Sequence, residues 1–541
     1  MQIELSRRVI AIPLRIEIFR GFLPALLFIL LALPSVYLFC RVPPLWRDSD
    51  GFYQVATKFE FLTVLHWPPL YCFCARIPFL LAAVLDGSLF HSGFSFNWPR
   101  VTDLGVYLLL FFQHLFLIGA LLSVCLLLAK NWPVRFLVGA IFVSCAPIYV
   151  FAHCVGSEAI MAPLLVLAAT AGLKYLCSPS PRWLILLFCF IVLNILDRHA
   201  NGVIAGLVPL AILLLLGSHI VRPSISPGAS ATASLWRDGP VYSWVSVRSL
   251  LISIVVGIAA ILTANAVILV VCRFDKIPYR SRAGYAFVWR LDFIKDLPSE
   301  RQTTIINKAE TDLHDPGITA ALEKLKETSA RGEFNPDDIC AALDKSLGEQ
   351  GYQGQQRHVL LDQKLNYFFR YFLLHDPIDL LHAVARDVAT GMSFTPSLLA
   401  RDPFLCTDWL VKHVSEPRFQ PIQGLRTLSA YSEPTKPYDT SLYFHSWAFL
   451  PFFVIAGGVL LAGVVCVVTA KSRRELVLAV YAIACTAIGT VGAMVSFVVV
   501  ALLPRLMLPT LILLCFAVAV LLLRLDSLRS GQREEAAAAT T

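Results

Sequence analysis

The 541-residue chain is 57% hydrophobic and 15% charged, with a mean hydropathy of +0.68 and a formal net charge of +8. A soluble globular protein carries about 25% charged residues, so this composition excludes a cytosolic multi-domain enzyme. The positive balance falls largely in short loops between apolar tracts, where anionic headgroups attract it, so nucleic acid is not implied as a partner.

In chain order, apolar tracts with almost no charge run over 21–40, 104–129, 136–152, 157–173, 183–196, 200–217, 249–272, 446–470, 476–503 and 506–523. A helix needs about 20 residues to cross a bilayer core of about 30 Å, and these tracts predict ten spans. Pro68 to Leu85 is apolar but interrupted by Pro68, Pro69, Arg76 and Pro78, and reads as interfacial helices. Basic residues mark every second connection: Arg7, Arg8, Arg15 and Arg20; Lys130 and Arg135; Lys174 and Arg182; Arg222, Arg237 and Arg248; Lys471, Arg473 and Arg474; Arg524, Arg529 and Arg533. The positive-inside rule then places both termini in the cytoplasm.

The expected organisation is a membrane module over 1–272 with a long first outer loop, about 41–103. An extracytoplasmic domain follows over 273–445, then C-terminal transmembrane helices over 446–525 and a cytoplasmic tail over 526–541. The outer domain carries helix signals. Ser299 with Gln302 reads as a capping box, and Asn335 followed by Pro336, Asp337 and Asp338 as a second helix start. Leu361, Leu365, Phe368, Phe369 and Phe372 recur at helical spacing, giving an amphipathic helix that lies on the membrane surface or covers the domain's own core. The fold class is therefore an all-α polytopic membrane protein with a mainly helical extracytoplasmic domain. Cys340 and Cys406, both in the outer segment, are a possible disulfide pair.

Charge inside the spans is nearly absent, which argues against an intramembrane ion pathway; Gln113 and His114 are the polar exception and read as packed, hydrogen-bonded side chains. Ionisable groups gather instead at the outer ends of spans: Asp48 and Asp50, Glu158, Asp197, Arg198, His199 and Arg505. Such a set suits a substrate with a lipid tail and a phosphate-linked sugar head. Arginine offers phosphate a charged planar fork, and a carboxylate takes a proton from an acceptor hydroxyl. Asp48 and Asp50 also have the oxygen ligands a divalent metal such as Mg²⁺ or Mn²⁺ prefers.

The run Asp48-Ser-Asp-Gly-Phe-Tyr-Gln-Val-Ala56 followed by Trp67-Pro-Pro-Leu-Tyr71 resembles the first outer loop of the C-type membrane glycosyltransferases. The similarity is to the branch of the dolichyl-phosphate-mannose protein mannosyltransferases, the aminoarabinose transferase and the rhizobial galacturonosyltransferases. Ser157-Glu158, Asp197-Arg198 and Pro504-Arg505-Leu-Met-Leu-Pro509 resemble further motifs of that family in the same order. Two departures stand out. The family's acidic pair is adjacent, whereas Ser49 separates Asp48 from Asp50, and Trp67 holds the place of the family's His before Pro-Pro, with His66 displaced by one.

The resemblance implies a seven-helix membrane module and inverting transfer of a monosaccharide from a polyprenyl-phosphate donor to a glycolipid, glycan or protein acceptor. Asp50, or else Asp48, would be the catalytic acid or a metal ligand. Glu158, Arg198, Arg505, His66, Tyr53 and Tyr71 would bind substrate. The competing readings are an O-antigen ligase or polymerase and a transporter or flippase of lipid-linked sugars. None of the eight asparagines is followed by x-Ser or x-Thr, which favours a bacterial inner membrane over the endoplasmic reticulum.

Overall fold

The computed structural model describes residues 2–47, 69–87, 101–225, 246–274, 283–430, 449–470, 472–499 and 503–526. In lipid a chain must satisfy its own backbone hydrogen bonds, and the apolar tracts accordingly fold as helices. Among the described residues, eight are long and apolar enough to cross a bilayer: Gly21–Arg41, Asp103–Leu128, Glu158–Cys177, His199–Ser218, Val247–Arg273, Phe452–Thr469, Arg473–Phe497 and Pro504–Asp526. The chain is an all-α, polytopic integral membrane protein.

Ten uninterrupted spans were expected, and two depart for local reasons. Tract 136–152 is broken into helices Trp132–Val143 and Ala146–Ala152, which meet at 66°. Pro147 at the second position of the latter has no N–H to continue the ladder, and Cys145 leaves helical geometry at φ −93°, ψ 74°. Tract 183–196 forms helix Pro181–Asp197 of 17 residues, or about 25 Å at the usual rise.

We number the helices that matter below α1 (Gln2–Arg41), α2 (Pro69–Leu85), α3 (Asp103–Leu128), α4 (Trp132–Val143), α5 (Ala146–Ala152), α6 (Glu158–Cys177) and α7 (Pro181–Asp197). Helix α6 is the hub: nearly every residue along it is buried, and it packs against α3, α5 and α7. It also meets the late span Arg473–Val499 very closely. Tyr481 Oη donates to the Ala169 carbonyl at 2.7 Å, and a Cβ on Gly172 would lie 2.5 Å from that hydroxyl. In contrast, Phe22, Ile29 and Leu33 of α1, Val255 and Leu262, and Leu461 are exposed apolar side chains, as a lipid-facing surface requires. Helix α2 lies along α3, with Phe79 filling the space over Gly105, where a Cβ would come within 2.2 Å of the ring.

A second, non-spanning helical unit occupies the chain after Val247–Phe274. Its own core joins Ile305, Ile306, Leu322, Leu325, Leu343, Leu347, Leu365, Phe368 and Phe372. Of the two alternatives for the amphipathic stretch near residue 365, the structure thus has its apolar face on the unit's own core. Asn335 Oδ1 caps its helix by accepting from Asp337 N at 3.1 Å, with Pro336 following. Ser299 is already helical; Pro298 is the cap residue, and Gln302 Nε2 donates back to the carbonyls of Lys295 and Leu297, so the expected capping box does not form. Neither Cys340 nor Cys406 is in a disulfide, because Cys340 lies in this core and Cys406 on a helix outside it. That helix, α8 (Pro396–His413), leaves the unit's core and packs on α5, on the residues before Asp48, and on the turn Pro504–Met507.

Candidate active site

The site starts from a minimal sheet. After α1 the chain extends through β1 (Leu45–Trp46), and after α5 through β2 (Cys154–Val155). The two pair in parallel, Leu45 with Cys154 and Trp46 with Val155, and Arg47 N donates to Val155 O at 3.1 Å. This register sets Arg47 beside Gly156, Ser157 and Glu158. Gly156 is required by the crowding: a Cβ there would lie 3.0 Å from Arg47 Cβ, 3.2 Å from Arg47 Cδ and 3.2 Å from Glu158 Oε2.

Glu158 begins α6 and is 1% exposed. Arg47 Nη1 lies 3.0 Å from Glu158 Oε1 and 3.1 Å from Oε2, and 3.5 Å from Ser157 Oγ. Arg198, the residue after α7, donates from Nη1 to Glu158 Oε1 at 2.9 Å. Arg505, on the 3₁₀ turn Pro504–Met507, lies within electrostatic reach of Glu158 and Arg198. Two guanidiniums from distant segments thus pair with one buried carboxylate, and a third acts on it electrostatically. A helix N-terminus suits that carboxylate through its orphan N–H groups and dipole. The cluster is well provided with positive charge and with fork-shaped donors, the chemistry that recognises phosphate.

A second acid lies close by. Asp197, the last residue of α7, is 1% exposed, and neither carboxylate oxygen has a hydrogen-bond partner among the described residues. On the other flank, Tyr71 Oη donates to Gln113 Oε1 at 3.2 Å and accepts from Gly156 N at 2.8 Å. Gln113 Nε2 in turn donates to the carbonyls of Ala152 and Cys154 at 3.0 and 2.9 Å. Tyr71 and Gln113 edge a cavity of ≈ 440 Å³ between α2, α3, α6 and α7, otherwise lined by apolar groups such as Leu70, Ile77, Phe112, Phe116 and Leu164. His114 belongs to a separate chain: its Nδ1 meets Ser35 Oγ at 2.8 Å, its Nε2 meets His153 Nδ1 at 3.2 Å, and His153 Nε2 donates to Val42 O at 2.9 Å. Gln113 and His114 are therefore both hydrogen-bonded side chains.

Of the residues picked from sequence, Glu158, Arg198 and Arg505 come together, and Tyr71 stands one hydrogen bond away at Gly156. Asp48, Asp50, Tyr53 and His66 lie outside the described residues. Among the described residues no group of three His, Cys, Asp or Glu is arranged to hold a metal ion. Arg47 was not singled out from sequence. It stands next to the acidic run, and a basic residue adjoining Asp48 at the end of a span was the available signal. In the non-spanning unit Arg290 is turned inward: it is fully buried and donates to Asp387 Oδ2 through Nη1 and Nη2 at 2.8 and 2.7 Å.

No family model matches the chain. No curated protein matches it either. Among solved structures it is similar to the archaeal oligosaccharyltransferase AglB from Archaeoglobus fulgidus, determined in complex with an inhibitory peptide and a dolichol-phosphate. The similarity has a TM-score of 0.39 and 13% identity, and covers 96% of this chain and 52% of that one. The chain thus spans about half the length of that structure.

Proposed function

We propose that the protein is a membrane glycosyltransferase that moves a monosaccharide from a polyprenyl-phosphate donor to a glycolipid, glycan or protein acceptor. The observation that carries this reading is the pairing of Arg47 and Arg198 with buried Glu158, with Arg505 in electrostatic reach, at the ends of apolar helices and directly before the acidic run Asp48-Ser-Asp50. A donor that is lipid at one end and sugar phosphate at the other would meet both parts there. The apolar cavity edged by Tyr71 and Gln113 is of a size and lining that suit a segment of isoprenoid chain.

In this reading the arginines hold the phosphate and stabilise the charge it gains as a leaving group. Preorganised cations in a dry site do this well. Asp50, or Asp48, accepts the proton of the acceptor hydroxyl as that oxygen bonds to the sugar's anomeric carbon and the bond to the lipid phosphate breaks. Attack opposite the leaving phosphate inverts the anomeric configuration. Glu158 acts through others: it fixes Arg47 and Arg198 at a set distance. A divalent Mg²⁺ or Mn²⁺, if the enzyme uses one, would be held by Asp48 and Asp50 and would supply further positive charge toward phosphate oxygens. Residues 1–272 would then form a seven-helix glycosyltransferase module, with the helical unit on the outer, periplasmic face of a bacterial inner membrane and both termini cytoplasmic.

The test is to incubate the purified, detergent-solubilised protein with labelled polyprenyl-phosphate sugars and envelope-lipid or peptide acceptors. Transfer of one sugar supports the reading. Transfer of a preformed oligosaccharide in one step would mean a ligase, and movement of the lipid-linked sugar across proteoliposomes without a covalent product would mean a transporter.

A further inference from the structure

Helix Pro377–Ser393 of the non-spanning unit has three distinct sides. On the first, Leu380 and Ala383 belong to the unit's own core, Asp387 holds Arg290, and a Cβ on Gly391 would lie 2.3 Å from the ring of Phe497 in the span Arg473–Phe497. The second is polar: Asp379, His382, Arg386 and Thr390, with Asp379 paired to Arg301 and Arg386 to Asp296. The third is an apolar stripe, Ile378, Leu381, Ala385, Val388 and Met392, at the three- and four-residue spacing that keeps side chains on one line. The stripe changes surroundings along its length. Val388 and Met392 pack against the core shared by the spans. Close by, Phe452 N of the span Phe452–Thr469 donates to Phe394 O at 2.9 Å. Ile378 and Leu381 continue the same line but are 66% and 65% exposed, and Ala385 between them and Val388 is exposed as well. A contiguous apolar surface of this kind marks a site of association.

We infer that helix Pro377–Ser393 lies in the surface of the bilayer, with Ile378, Leu381 and Ala385 in the boundary between headgroups and acyl chains and the polar side toward water. The occupant of the stripe is lipid because the stripe runs without a break onto the spans, and lipid-facing surface begins there: Val495 and Phe453, next to the contacts at Phe497 and Phe452, are exposed apolar side chains of those spans. A helix with one apolar and one charged side binds an interface by sinking its apolar face about 5–10 Å into that boundary. The amphipathic stretch near residue 365 has its apolar face on the unit's own core, so membrane contact falls to the helix that follows it. This hold on the bilayer comes directly before α8, which begins at Pro396 and packs on the residues before Asp48. The inference does not depend on the reaction proposed above.

The experiment places the photoreactive amino acid benzoylphenylalanine at one position at a time in the full-length protein, reconstituted in vesicles of phosphatidylethanolamine and phosphatidylglycerol, and counts lipid adducts by mass after irradiation. Leu381 and Ala385 test the stripe. Leu461, an exposed residue within a span, gives the full signal, while Thr390 on the polar side and Lys345 elsewhere on the unit's surface give the background. Labelling at Leu381 and Ala385 should approach that at Leu461 and exceed that at Thr390 and Lys345 by at least about 10-fold. As a second reading, Ile378→Asp combined with Leu381→Asp should speed hydrogen exchange of residues 377–393 in vesicles by at least about 10-fold over the wild type, with exchange of helix Pro316–Ala330 unchanged as the check on folding.

Three results overturn the inference. One is labelling at Leu381 no higher than at Lys345. Another is a cross-linked dimer of the chain from position 381 in place of lipid adducts, which makes the stripe a contact between copies. The third is equal exchange of residues 377–393 in the wild type and the double variant. A protein that labels lipid in the expected pattern yet transfers no sugar keeps this inference and loses only the proposed function.

Discussion

The hydroxyl of Thr407 clasps the backbone of Trp46, 361 residues earlier: it accepts from Trp46 N at 2.8 Å and lies 3.1 Å from Trp46 O. Trp46 is fully buried, and Arg47 and the acidic run follow it directly. A side chain on α8, the helix of the non-spanning unit that leaves its own core, therefore fixes the backbone directly before Arg47 and the acidic run. Thr407→Val keeps the volume and removes the hydroxyl, orphaning a buried N–H at a cost of about 1–3 kcal/mol. We expect transfer activity to fall about 10-fold in kcat with little change in donor KM, and Thr407→Ser to restore most of it. Steady-state kinetics of the two variants check this.

Removing the carboxylate at the centre of the cluster should hurt stability as well as activity. Glu158→Ala leaves Arg47 and Arg198 facing each other without their shared partner. Loss of one member of a buried ionic group costs about 3–5 kcal/mol, so the thermal unfolding midpoint in detergent should drop clearly. An unchanged midpoint would mean that water already screens these charges.

Gly156→Ala probes geometry alone. The added methyl would sit 3.0 Å from Arg47 Cβ and 3.2 Å from Glu158 Oε2, so Arg47 must move. The expected result is a folded protein with a raised donor KM, and the same change at Gly119, which has nothing within 4 Å, serves as the silent control.

In the non-spanning unit, burial pushes the Asp292 carboxyl up to about 6, against the opposing pull of Arg290. Its Oδ1 has no hydrogen-bond partner among the described residues. A raised carboxyl binds its proton more tightly in the folded state, so its contribution to stability is fully present below about pH 4 and is lost as pH rises through about 6. Asp292→Asn should therefore stabilise the protein at pH 7, by about 2–3 kcal/mol at most, and should flatten the decline between pH 4 and 6. Thermal melts of both proteins across that range measure the difference.

Much of the fold was legible because lipid leaves the chain few choices. A tract such as 249–272, without a charge, can only be a helix, and it is one. What sequence did not resolve is where a helix breaks. Residues 136–152 read as one span because their hydropathy is continuous, yet Pro147 and the non-helical Cys145 divide them, and that break delivers β2 and Gly156 to the site. Glu158, Arg198 and Arg505 were legible as candidates because each stands at the end of a span on the same expected face. Arg47 escaped notice because its place depends on a two-residue pairing with Cys154 and Val155, 109 positions away in register, which no local pattern announces. Asp197 was visible as an acid at a span's end; its lack of donors is a property of packing.

The central claim is glycosyl transfer from a lipid phosphate by an acid in the first outer loop. Its most direct test compares the purified wild type with the double variant Asp48→Asn, Asp50→Asn, following labelled sugar from a polyprenyl-phosphate donor to acceptor by mass. The wild type should give a product heavier by one sugar, and the variant should lose about 10²–10⁴-fold in rate, the usual contribution of a general base. Transfer at the full rate by the double variant, or no product from any donor with the wild type, would contradict it.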